Sequence, residues 1–108
     1  MGTSQRLAEH YDRRSEERLI AQSAAAGPLQ SLTKRELALD RHPVTIYPRP
    51  HRRVKAWVRF GPEAVHVYAK LLRSTPTAAG IEFKAQDQVY RCWVWGNAVE
   101  VADVDSQA

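Results

Sequence analysis

The stretch RVKAWVRF, residues 53–60, decides the fold, because its apolar and polar side chains alternate without a break. Successive side chains of a β-strand point to opposite sides of a sheet, so this period of two predicts a strand. The apolar side of that strand is expected to face the core and consists of Val54, Ala56, Val58 and Phe60. Gly61-Pro62 follows directly and predicts the turn that ends the strand.

The same period of two continues towards the C-terminus. It predicts strands over residues 63–73, 79–84, 89–95 and 99–101, separated by short turns. On the N-terminal side, residues 44–47 predict a short extended run. Pro48-Arg49-Pro50 predicts a rigid turn or an edge segment, because neither proline has an N–H to donate to a central strand.

These strands predict a mainly β fold with an N-terminal helix (α+β). Four or five short antiparallel strands most economically close into a small barrel, because closure removes exposed strand edges. Over residues 52–101, the order of long strand, long strand, hairpin, strand, single turn and short strand resembles the Src-homology-3-like small barrels. That superfold includes chromatin readers, ribosomal modules and the DNA-binding ends of integrases, so the resemblance implies a fold and no single function.

One or two helices are predicted to precede the barrel. Ser4 to Ala26 contains no Pro or Gly and is rich in helix-forming residues. Its apolar stripe is weak, so we interpret residues 1–27 as a charged helical arm that docks weakly or waits for a partner. Thr33 to Glu36 has the spacing of a capping box, which favours a short helix from Lys34 over an edge strand. Residues 28–102 are predicted to form one barrel domain, and residues 103–108 a disordered acidic tail.

The composition restricts the class of protein. A chain of 108 residues fits one compact domain. It contains no run of about 18 apolar residues, as a membrane-spanning helix requires, and its charged N-terminal segment does not have the pattern of a secretory signal. The lone Cys92 has no partner for an intramolecular disulfide, which fits a reducing compartment. We therefore expect a cytoplasmic protein.

Positive charge is concentrated in one part of the chain. The net charge is only +4, yet residues 41–60 contain six Lys or Arg and no acidic residue. The charged residues after position 95 are all acidic. A basic block of this kind, ahead of an acidic end, indicates an anionic partner.

The polar side of residues 53–60 predicts a surface that binds DNA or RNA. Its cationic side chains can neutralise phosphates while Trp57 offers a ring on which a base stacks. The alternative is a solvent-facing strand whose long cationic side chains cover a partly buried Trp. The candidate nucleic-acid-binding residues are Arg49, Arg52, Arg53, Lys55, Trp57, Arg59, Tyr68 and Lys70.

The segment Cys92-Trp93-Val94-Trp95 supports a competing hypothesis, a protein-interaction or oligomerisation module. Two Trp on one side of a strand can form a groove for a peptide or a base, or can simply pack in the core and support the N-terminal helix. A protein partner, or a second copy of the chain, would bind the helical arm and this strand. The candidate partner-binding residues are Tyr11, Leu19, Trp93 and Trp95.

Enzyme chemistry is not indicated by the sequence. The four His show no ligand spacing with Cys92 that resembles a zinc site. Neither a Gly-rich phosphate loop nor a Gly-x-Ser-x-Gly motif occurs. We therefore expect no catalytic residue, no metal and no cofactor. By analogy alone, a compact basic domain with one helical arm also suits an accessory protein of a phage or plasmid.

Overall fold

The computed structural model describes residues 15–102 and is mainly β. Helix α1 covers residues 15–24, and α2 is a single turn at Lys34–Leu37. Neither of these helices is long and apolar enough to cross a membrane. The strands of this part of the chain are β1 Thr45–Ile46, β2 Arg53–Phe60, β3 Glu63–Ser74, β4 Ala78–Ala85, β5 Gln88–Trp95 and β6 Val99–Val101, with a 3-10 turn at Gly96–Ala98.

The alternation of side chains predicted the strands correctly. β2 covers the whole of residues 53–60, and the apolar side chains that alternate along it are at most 2% exposed. The single turn before β6 is also confirmed. The six strands exceed the four or five that the sequence predicts. The reason is that Thr45 and Ile46 pair with Ser74 and Arg73, at the end of β3 beyond its pairing with β2.

The strands form one antiparallel sheet in the order β5-β4-β3-β2-β6, with β1 beside β3. β3 is long enough to pair with β2 through residues 63–70 and with β4 through residues 70–74. The register between β3 and β4 shifts between Leu71 and Arg73. Such a bulge bends a strand and increases its twist. Strand pairing does not close the described sheet, which ends at β5 on one side and at β6 on the other.

Residues 29–32 connect the end of β2 to β5. Leu29 forms an isolated antiparallel bridge with Phe60. The Leu32 N–H donates to the Trp93 carbonyl at 3.0 Å, and the Trp93 N–H donates to the Ser31 hydroxyl at 2.8 Å. This segment therefore joins β2 to β5 by hydrogen bonds, without forming a regular strand of its own.

The core lies on the inner side of the sheet. Three aromatic rings meet there: the ring of Phe60 stands edge-on to those of Phe83 and Tyr90, which stack on each other at 5.1 Å. Aliphatic side chains from β2, β3 and β4 surround these rings. The predicted inward side of β2 is therefore confirmed.

Within residues 15–24, helix α1 contributes Ile20 to this core, and Ala24 packs against it. Ile20 is fully buried, whereas the neighbouring Leu19 is 54% exposed. Glycine marks the end of the arm, because a Cβ on Gly27 would lie 2.8 Å from the Cα of Gly61. Among residues 15–24, the helix is thus docked on the sheet through one deeply buried residue, which the weak apolar stripe of the sequence does not predict. The predicted start of the arm at Ser4 lies outside the described residues.

Two carboxylates of α1 also bind backbone N–H groups of the sheet. Glu16 accepts a hydrogen bond from the Tyr68 N–H at 3.2 Å, and Glu17 accepts one from the Gln86 N–H at 3.4 Å. Pairing between β3 and β4 ends at Lys70 and Glu82, so the Tyr68 N–H lies beyond the last β3 residue that pairs with β4. The helix therefore fills the place where the two strands diverge.

Helix α2 begins as the sequence predicts. The Glu36 N–H donates to the Thr33 hydroxyl at 3.1 Å, and the Thr33 N–H donates to Glu36 Oε1 at 2.9 Å. This reciprocal capping box satisfies two N–H groups that a helix start leaves free. Leu37 then anchors the turn, since it is only 4% exposed.

Candidate functional site

The outer face of β2 carries Arg53, Lys55, Trp57 and Arg59 on one side of the strand. Trp57 is 52% exposed, an unusual value for so large an apolar side chain. Arg53 and Arg59 are also exposed, and Lys55 is half-buried. The alternation that buries the opposite side of β2 therefore presents three cations and one indole together.

The indole of Trp57 rests on the ring of His66, the residue opposite it on β3. The two rings are nearly parallel, with their centroids 4.5 Å apart. Burial and the nearby Lys55 ammonium lower the pKa of His66, although Glu100, whose carboxylate lies 3.8 Å from His66 Nε2, raises it. A lowered pKa leaves the imidazole neutral at pH 7. His66 thus supports one side of the indole as a second flat, neutral ring.

A cation–π pair lies beside the stacked rings. The ammonium of Lys55 lies 4.8 Å from the centre of the Tyr68 ring, within the range of a cation–π interaction. Tyr68 is itself 48% exposed. Pairing of β2 with β3 therefore brings together two of the sequence-predicted residues that lie 13 positions apart.

A basic groove lies next to this face. One cross-strand row runs from Arg53 through Lys70 and Glu82 to Arg91, across β2, β3, β4 and β5. The groove has a volume of about 870 Å³. Its lining comprises Ile46, Tyr47, Arg49, Pro50, His51, Arg53, Lys70, Leu72, Arg73, Glu82 and Arg91.

The charges of the basic groove are strongly unbalanced. Five of its lining residues are Arg or Lys, and Glu82 is its one carboxylate. Arg91 Nε donates to Glu82 Oε2 at 2.7 Å, and this bond, more than the neighbouring positive charges, lowers the pKa of Glu82. Glu82 is therefore ionised at neutral pH and already occupied by Arg91. The other cations of the groove are available to an anion.

Sequence reasoning missed Arg73 and Arg91 as members of this groove. Strict alternation along β3 would place Arg73 on the same side as the buried Val67 and Ala69, but the register shift after Leu71 turns it outwards. Arg91 lies outside the basic block of the sequence and joins it only through the pairing of β4 with β5.

Glycine makes room for Arg73. A Cβ on Gly80 would lie 2.8 Å from Arg73 Cγ and 3.4 Å from Trp93 Cε2. The Arg73 side chain and the Trp93 ring therefore both pack against the bare backbone of β4. An isolated Gly in a strand pattern can signal such a close approach.

A tryptophan hollow of about 480 Å³ lies between β2, β5 and the segment that joins them. All three Trp of the chain, Trp57, Trp93 and Trp95, line it. Arg59 and Glu36 are its charged residues. Trp95 is 42% exposed, and Trp93 is half-buried. The structure thus brings Trp57 of the predicted nucleic-acid set together with two residues of the predicted partner-binding set.

The remaining sequence-predicted residues are placed as follows. Arg49 lines the basic groove. Arg52 is exposed just before β2, where its carbonyl accepts a hydrogen bond from the Leu71 N–H at 2.9 Å. Leu19 projects from α1 on the side away from the core. Tyr11 lies outside the described residues.

Cys92 is 5% exposed, and burial raises the pKa of its thiol to about 11. Between residues 15 and 102, no group of three or more His, Cys, Asp or Glu is placed to hold a metal ion.

No protein-family model matches this chain, no curated protein matches its sequence, and no solved structure matches its fold.

Proposed function

We propose that this chain is a small, non-enzymatic module that binds nucleic acid through the basic groove and the outer face of β2. The observation that carries the proposal is the groove itself, which five Arg or Lys side chains line together with one carboxylate that is already paired with Arg91. Like charges that line one groove repel one another, and an anionic ligand relieves that repulsion. Phosphate groups are anions that Arg side chains bind well, because the guanidinium fork matches two phosphate oxygens.

The aromatic side chains favour a nucleic acid over a simple anion. Trp57 and Tyr68 are each about half exposed next to the groove. A free phosphate has no flat ring that could stack on them. A nucleobase stacks on such a ring with a gain of about 1–3 kcal/mol. Cations that hold the backbone, beside rings that hold bases, are the combination that nucleic-acid-binding proteins use.

We further propose that the fold is a small barrel of the Src-homology-3-like type. The strand order, the single turn before the last strand and the bridging by residues 29–32 support this assignment. The cytoplasm is the proposed location, supported by the buried, unpaired thiol of Cys92.

The first test is fluorescence anisotropy of the full chain with labelled single-stranded DNA, duplex DNA and RNA of one length, at two salt concentrations. We expect micromolar or tighter binding to at least one of them, with an affinity that falls steeply as salt rises, since binding releases condensed counterions. Absence of binding at low salt to all three would refute the proposal.

A pair of variants locates the binding surface. Arg53→Gln with Arg73→Gln removes two charges from the groove, whereas Lys34→Gln with Arg35→Gln removes two exposed charges from α2. Each lost phosphate contact should reduce the slope of log K against log salt by about 0.7–0.9. We expect a weaker affinity and a reduced slope for the groove pair alone. An equal effect of both pairs would assign binding to net charge and not to the groove.

A protein-interaction module is the second candidate, and exposed apolar side chains favour it. Leu19 on α1 and Trp95 on β5 are 54% and 42% exposed. If this module forms a homodimer, light scattering should give a dimer mass for the full chain and a lower mass for Leu19→Glu. This substitution leaves the buried Ile20 in place. A monomer mass for the unmodified chain at all concentrations would rule out that form.

A further inference from the structure

We propose that the tryptophan hollow is a subsite for one unstacked nucleobase of a single strand whose phosphates lie in the basic groove. The inference rests on the proposed function and extends it to a defined class of nucleic acid. It assigns Trp93 and Trp95, which the sequence associates with protein partners, to the same ligand as Arg53 and Arg91.

The two surfaces adjoin along two strands. β5 contributes Arg91 to the groove and Trp93 to the hollow, two residues apart on one side of the strand. At about 3.3 Å per residue, this separation is about 7 Å. β2 contributes Arg53 to the groove and Trp57 to the hollow, which the same rise places about 13 Å apart. Neighbouring nucleotides are about 3.4 Å apart along one strand of a stacked helix. A base in the hollow and a phosphate in the groove therefore lie within a few nucleotides of one chain.

The lining of the hollow favours a neutral aromatic ligand. Three indoles provide flat apolar surfaces. Its two charged residues are of opposite sign, Arg59 and Glu36, so the hollow as a whole favours neither a cation nor an anion. The guanidinium of Arg59 donates to the Pro62 carbonyl at 3.3 Å. A nucleobase is flat and neutral, and it has polar edges that such side chains can bind.

The size and position of the hollow point to a single strand. Its volume of about 480 Å³ lies within the range of about 300–1,000 Å³ that is typical of small-molecule pockets. In a duplex every base is stacked between its neighbours, and taking one out costs a few kcal/mol. A single strand does not incur the loss of base pairing. We therefore expect the full chain to bind single strands more tightly than a duplex of the same sequence.

The test compares an ordinary single-stranded DNA oligonucleotide with one of equal length in which every base has been removed. Both carry the same phosphates, so only the first can fill the hollow. The full chain is compared with Trp95→Ala and with a matched control, Val89→Ala, on the same side of β5. Val89 is 49% exposed and does not line the hollow. Bases and phosphates are common to DNA and RNA, so either could supply the ligand. Comparing the affinity for an RNA strand of the same sequence with that for the DNA strand shows which of the two the chain prefers.

We expect Trp95→Ala to weaken binding of the ordinary strand about five- to hundredfold, which corresponds to the loss of one stacked base. The salt dependence should stay unchanged, because no phosphate contact is lost. The same substitution should leave binding of the abasic strand unaffected. Val89→Ala should match the unmodified chain with both strands, and Trp95→Phe, which keeps an aromatic ring, should recover most of the affinity.

Two results would overturn the inference while leaving the proposed function intact. One is equal affinity of Trp95→Ala and the unmodified chain for the ordinary strand. The other is an equal loss with ordinary and abasic strands, which would mean that Trp95 acts only by supporting the fold. If the chain binds neither strand at low salt, the proposed function fails and this inference fails with it.

Discussion

Substitution of Ile20 by Ala tests whether α1 belongs to the core. Ile20 is fully buried among strand residues, so the change removes three carbons from a filled space. At about 0.8 kcal/mol for each buried carbon, the transfer loss is about 2.4 kcal/mol. The cavity left behind adds to this loss, and such substitutions cost about 2–5 kcal/mol in total. We expect the free energy of unfolding to fall by about 3–4 kcal/mol.

The adjacent residue provides the matched control. Leu19→Ala changes the same helix but removes a side chain that is 54% exposed, so its cost should stay below about 1 kcal/mol. Urea unfolding followed by Trp fluorescence measures both variants. For an m-value of about 1–3 kcal/mol/M, Ile20→Ala should lower the midpoint by about 1–4 M. Equal midpoints for the two variants would refute the docking of α1 on the sheet.

Three further predictions concern single titratable or reactive groups. Glu82→Gln releases Arg91 and adds one net positive charge to the basic groove. Anisotropy should therefore show a several-fold gain in affinity for single strands. An unchanged affinity would contradict the role of the groove. Because the pKa of His66 is lowered in the folded chain, the folded state binds fewer protons than the unfolded state, so stability should be full above pH 6.5 and fall below it. Urea midpoints at pH 7.5 and 5.5 should therefore differ more for the unmodified chain than for His66→Gln, and equal differences would show that His66 is not responsible. With its pKa raised to about 11, Cys92 should react slowly with a thiol reagent until urea unfolds the chain, whereas rapid labelling of the folded chain would contradict its burial.

Local signals in the sequence were sufficient wherever the structure depends on neighbouring residues. The capping box at Thr33 and Glu36 formed as its spacing predicts, because both partners lie within one turn of helix. Docking of α1 was not visible in this way. Its apolar stripe is weak, and the hydrogen bond from the Tyr68 N–H to Glu16 joins residues 52 positions apart.

The candidate site also has parts that the sequence predicts and parts that it does not. The outer face of β2 could be predicted, since alternation places Arg53 and Trp57 on one side wherever the strand lies. The support of Trp57 by His66 could not, because it depends on the register between β2 and β3. A shift of one residue in that register would exchange inward and outward positions.

The sequence by itself determined where the long strands lie, which side of β2 is buried, and where positive charge is dense. These properties follow from the pleat of a single strand and from composition. Only the tertiary structure decided that Arg73 and Arg91 join Arg53 in one groove, and that all three Trp line one hollow. The physical reason is that strand order, pairing register and the shift after Leu71 arise from contacts between segments far apart in the chain. The periodicity of one strand carries no information about its neighbour.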